Sequence, residues 1–169
     1  IEVITTCAID YVTWENEYPE GIQEVEGVYV RRFRVDSPRD IKSFNNFSHK
    51  ILGEHTFEEE LKWMRKQGPY STGLFEFLKG RKADYDVFVF FTYLYCTTFY
   101  GLRIAPEKSV LVPMAHDERP IYLDIFKEVF NAPKGLIYLT PEEKRIVINR
   151  FANDHIQSVV AGLGLDEPP

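Results

Sequence analysis

At 169 residues, with 44% hydrophobic and 15% aromatic side chains, the chain is long enough to bury one core, and 1–169 reads as a single domain. A net charge of −6 and a pI near 5.3 argue against nucleic-acid binding, and the only dense basic run, YVRRFR at 29–34, has the alternation of a strand. Two cysteines with neither a metal spacing nor a disulfide framework read as reduced thiols in a cytoplasmic protein, and the longest apolar run is too interrupted to span a bilayer.

The first apolar block, Glu2–Thr6, predicts a strand, and the long polar loop CAIDYVTWENEYPEG follows it. Val28–Val35 predicts the next strand. In HTFEEELKWMRKQG, Thr56 is the N-cap of a helix and Glu59 completes a capping box. Phe57, Leu61 and Met64 should face the core there, and Gly68 should stop the helix. STGLFEFLKG puts Leu74, Phe75 and Leu78 on one helical face and ends at Gly80. The blocks Asp86–Thr92, Ser109–Met114 and Gly135–Leu139 show little alternation, which means burial on both faces and a parallel sheet covered by helices. IYLDIFKEVFN carries Tyr122, Ile125, Phe126, Val129 and Phe130 at helical spacing. TPEEKRIVINRF has Thr140 as N-cap, proline at the first helical position and Glu143 completing a second capping box. Ser158–Leu163 is the last strand, and DEPP resembles the start of a linker. From Tyr85 onward strand and helix alternate, the mark of an α/β fold with right-handed crossovers.

In an open parallel sheet, ligands bind beyond the carboxyl ends of the strands. Asp10, Trp14 and Asn16 follow the first strand, and Thr92, Tyr93 and Tyr95 follow FVFF. His116, Asp117 and Glu118 follow SVLVPM, and Thr140, Glu142 and Glu143 follow GLIYL. Hydroxyls, amides, carboxylates and one imidazole on one edge suit a polyhydroxylated ligand such as a sugar. Plainer roles compete. Glu142 and Glu143 lie in a first helical turn, where a carboxylate is worth about 0.3–1 kcal/mol against the macrodipole, and Asp117 and Glu118 could keep a loop solvated. His116 and Glu118 lack a third metal ligand in sequence, so no metal is expected. Nor is a dinucleotide cofactor: there is no G-x-G-x-x-G after the first strand, no P-loop and no G-x-S-x-G, and GLGLD is followed by no helix.

With the strand ends laid out this way, the chain resembles the N-terminal half of a retaining glycosyltransferase of the GT-B type, family 4. The stretches VITTCAIDYVTWENEYPEG, GVYVRRFRV, QGPYS, DYDVFVFFTYLY, SVLVPMAHDERPIY, LIYLTPEEKRIV and VVAGLGLD carry the resemblance in their order. It implies a Rossmann-like domain that receives the acceptor, while a second domain holds most of a nucleoside-diphosphate sugar. By resemblance His116 reaches toward the donor sugar at the reacting centre, and Asp10, Trp14, Asn16, Tyr70 and Tyr93 line the acceptor side. The family also implies a strand and helix ahead of IEVITT and a donor domain beyond DEPP. The 169 residues are then expected to be inactive alone and to pair through open sheet edges as a homodimer. Two other readings stand beside this one: a non-catalytic α/β module for carbohydrate or a small anion, and a different Rossmann-like enzyme with His116 and Glu118 as base and partner.

Overall fold

A computed structural model describes residues 1–162 and 164; Leu163, most of GLGLD and the DEPP tail lie outside the described residues. Strand β1 spans Glu2–Thr6, β2 Gly21–Val25 and β3 Val28–Phe33. Helices α1 (Ile41–Ile51), α2 (Phe57–Gln67) and α3 (Thr72–Arg81) follow. Strict alternation then runs β4 (Phe88–Phe91), α4 (Cys96–Gly101), β5 (Ser109–Val112), α5 (Phe126–Asn131), β6 (Gly135–Tyr138), α6 (Pro141–Phe151) and β7 (Gln157–Val160). The order expected from Tyr85 onward is the order observed.

Local chemistry explains the boundaries. The Thr56 side chain accepts from the Glu59 backbone N–H, and the Glu59 carboxylate accepts from the Thr56 N–H, so the predicted capping box on α2 is present. Met64 is buried and Leu61 packs against the core as expected, but Phe57 is exposed, and Glu60, Trp63 and Gln67 join the buried face. The hairpin β2–β3 was not expected. Glu26 and Gly27 both have positive φ, at 50° and 80°, which makes a two-residue turn whose twist matches paired strands. Helix α1 was also not expected, although Ile41, Phe44, Phe47 and Ile51 have helical spacing and Asp40 caps it by accepting from Ser43 N.

The segment 121–131 is not one helix. A 3-10 turn covers Arg119–Tyr122, Leu123 is extended (φ −67°, ψ 139°), and only Phe126 onward is α-helical. A tertiary contact outweighs the local spacing here: the Ile125 N–H donates to the buried Glu60 carboxylate at 2.8 Å, fixing where α5 starts. Tyr122 consequently points into solvent rather than into the core.

The strands form two sheets. β4-β5-β6-β7 is all parallel and runs in sequence order, and β1-β3-β2 is mixed, with β1 parallel to β3. The α/β fold is thus Rossmann-like, a parallel sheet flanked by helices. Because β4 to β7 advance in one direction, right-handed connections put α4, α5 and α6 on the same face. On that face Phe88, Leu111, Leu136 and Tyr138 are buried with Phe126, Phe130 and Phe99. The opposite face is more open: Val89 is 49% exposed, Phe91 62% and Val159 52%, although Val112 beside Phe91 is buried.

β1 and β4 each stand at the edge of their own sheet, with no backbone ladder between them. Tyr85, just before β4, donates to Glu2 at the start of β1. Beyond the other ends, Trp14 meets Tyr95 edge-on at 5.1 Å. Each strand therefore keeps one edge without a ladder partner among the described residues.

Candidate functional site at the carboxyl edge of the parallel sheet

The loops that leave β1, β4, β5 and β6 meet in a chain of specific contacts. Trp14 reaches Tyr95 from the β1 loop. The Tyr93 hydroxyl, after β4, donates to Glu118, after β5, at 2.8 Å. Glu143, at the start of α6, accepts from the Ala115 N–H after β5 and from the Leu139 N–H after β6, both at 2.7 Å. The expected shared edge is one contiguous surface.

Within it the residues differ in what they have left to offer. His116 is exposed, and among the described residues only its backbone carbonyl is engaged, by the Glu118 N–H at 2.9 Å. Thr140 is exposed; its hydroxyl oxygen accepts from Glu143 N at 3.0 Å, which leaves its own proton to donate. Thr92 is half-buried, and its amide donates to Val112 O. Asp117 is exposed and accepts from the Tyr122 hydroxyl. Glu142 is exposed and meets Arg145 at 3.4 Å, a helix-surface pair.

The others are spent on structure. Asp10 accepts from Val12 N, Thr13 N and Thr13 Oγ1, and these bonds, the Thr13 hydroxyl first, hold its pKa below the usual carboxylate value. Asn16 exchanges two hydrogen bonds with the backbone of Val35. Trp14 is buried, donates its indole N–H to Gln67 O at 2.7 Å, and lies so close to Gly68 that a Cβ there would come within 2.8 Å of the ring. Tyr93 is wholly buried, and burial ahead of Glu118 pushes its hydroxyl pKa far up, so it acts as a fixed donor that holds Glu118. Tyr70 packs its ring on Phe75 and Tyr100, with the Arg65 guanidinium 3.6 Å from the ring centre, and its carbonyl accepts from Asp36 N beyond β3.

Three features escaped the sequence reading. Thr92 and Met114, at the ends of β4 and β5, have φ of 59° and 53°, and Trp14 has 59°. Non-glycine residues in this region carry backbone strain, which collects at ligand sites. No sequence signal announces it, because a threonine and a methionine stand where glycine would be at ease. Arg39 ties the β1 loop to the end of α2, donating to Tyr11 O and Gln67 O, with the Trp14 ring 5.1 Å away. Glu143 was read as half of a capping box. Thr140 does cap α6, but the Glu143 carboxylate instead holds the loop that carries His116.

Among the described residues no three His, Cys, Asp or Glu side chains gather as a metal ion would require, and no helix is long and apolar enough to cross a membrane. Comparison with protein-family models, curated proteins and solved structures returned no match.

Proposed function

We propose that this chain is the acceptor-side domain of a retaining glycosyltransferase, which moves a sugar from a nucleoside-diphosphate sugar to a glycan or small-molecule acceptor in the cytoplasm or at the inner face of a membrane. The observation that carries the reading is the strained carboxyl edge, where exposed His116 and the hydroxyl of Thr140 stand on loops joined to Thr92 and Met114. Imidazole and hydroxyl groups exchange hydrogen bonds with sugar hydroxyls. A donor at His116 would also help hold the charge that develops as the glycosidic bond breaks. Front-face displacement needs no nucleophile from this half. Glu143 and Tyr93 are positioning residues: one fixes the loop before His116, the other fixes Glu118 after it.

The parallel edges of β1 and β4 support a larger protein. A strand between them would pair on both sides. Its right-handed return to β1 runs opposite to the advance of β4 to β7, so the connecting helix would fall on the open face. That geometry would seat a further strand and helix, and open edges of this kind favour self-association.

The chain has four histidines, whose imidazole NMR signals give the test. Titration with neutral oligosaccharides should move the His116 signals and leave those of His49, His55 and His155 in place, and Thr140→Val should weaken the effect. Movement of another histidine in place of His116, or none with any sugar, would remove the acceptor reading.

A further inference from the structure

A second site lies on the helical layer. Helix α1 turns Lys42, Ser43, Asn46, Phe47 and Lys50 toward Lys62 and Lys66 of α2, and together with Asp40 they line an open basin of about 550 Å³. Phe47 is its apolar wall. The ammonium groups of Lys50, Lys62 and Lys66 stand 5.9, 5.4 and 5.9 Å from the centre of that one ring. Their convergence is unusual in a chain whose net charge is −6.

The acids nearby, Glu59 and Asp40, offset it only in part, leaving lysine in excess. Glu59 pairs with Lys50, which holds the Glu59 carboxyl below its ordinary pKa, and its other oxygen caps α2 at Thr56 N. The Asp40 carboxylate accepts from Ser43 N as the cap of α1. Lys66 donates to the Ser43 hydroxyl at 2.7 Å, a neutral partner. Lys42 and Lys62 make no hydrogen bond or ion pair among the described residues. Like charges held this close repel one another, and a bound anion relieves that cost.

We propose that this basin binds the phosphate or diphosphate group of an anionic ligand. Lysines act as point charges toward phosphate, Ser43 and Asn46 supply neutral donors, and Phe47 packs against whatever apolar part the ligand carries. The proposal stands independently of sugar transfer at the sheet edge. The phosphate could belong to a free metabolite or to a lipid headgroup.

Inorganic pyrophosphate is the probe. Followed by amide NMR at low salt, it should give saturable shifts confined to α1 and α2. Lys42→Ala with Lys62→Ala removes two side chains that make no hydrogen bond or ion pair among the described residues. The double variant should keep the wild-type spectrum elsewhere and bind more weakly, by about fivefold per lysine removed. Rising salt should weaken binding further. Vesicles of phosphatidylglycerol and of phosphatidylcholine distinguish the sources. Sedimentation with the first alone, displaced by pyrophosphate, assigns the group to a lipid headgroup, and pyrophosphate binding without vesicle binding assigns it to a free molecule. Shifts spread equally over Lys79, Lys82, Lys108 and Lys127, an unaffected double variant, or no binding of either probe would overturn the proposal.

Discussion

The two faces of the four-stranded sheet differ more than any other pair of regions in the molecule. One is closed by α4, α5 and α6 and buries Leu111, Leu136 and Tyr138; the other leaves Val89, Phe91 and Val159 in water. Apolar content alone does not cause this, since the open face also carries Val89, Val110, Phe91, Val112, Ile137 and Val159. Topology does. Strands added in one direction by right-handed connections receive all their helices on one side, and the other side receives none of them.

Substitutions can break or sharpen that contrast. The largest effect is expected on the closed face. Phe126 is fully buried and meets Tyr93 edge-on at 4.8 Å, so Phe126→Ala should cost about 3–5 kcal/mol in urea unfolding. The next effect joins the closed face to the candidate site. Glu143→Ala strands the Ala115 and Leu139 amides, and each buried unpaired donor costs about 1–3 kcal/mol. Hydrogen exchange should accelerate at those two amides in particular; unchanged protection would show that the loop before His116 holds itself.

A smaller effect depends on pH. Hydrogen bonds to Gly53 O and then to the buried Glu60 raise the His55 pKa above 6.5. A raised pKa means that the folded state favours the imidazolium. Its contribution is complete below the ordinary histidine value and is lost as pH rises through the folded value. The stability difference between the wild-type chain and His55→Ala should therefore shrink from weakly acidic to alkaline pH, and a difference that grew would reverse the assignment.

The smallest effect on stability belongs to the open face. Phe91→Ser should move unfolding by no more than about 0.5 kcal/mol. Its consequence should be colloidal instead: the wild-type chain should sediment above its 19.8 kDa monomer mass, and the variant should return toward it. A wild-type chain that sediments as a clean monomer would remove the homodimer.

Much of the fold was legible in the sequence because its signals are local. Thr56 with Glu59, and Thr140 with Pro141, announce helix starts through their own backbone partners. The parallel sheet was legible through its unbroken apolar runs. What escaped depends on contacts remote in sequence. Glu60 sets the start of α5 from 65 residues away, and Trp14 spends its indole on Gln67 rather than on a ligand. The strand ends that make the candidate edge could be found from fold class alone. Which of their side chains stay free could not, because that depends on whether a partner such as Val35 stands opposite Asn16.

The two cysteines give the molecule a pair of internal clocks. Cys7 closes the end of β1 in the three-stranded sheet, and Cys96 opens α4 beside the four-stranded one. Both are wholly buried, and burial pushes both thiol pKa values up, that of Cys96 to about 12. Neither sulfur reacts until its own surroundings open, since only an exposed thiolate attacks an alkylating reagent. Equal labelling rates would mean that the two sheets open as one unit. A faster Cys7 would mean that β1 and its hairpin come away first, while the α/β half stays closed.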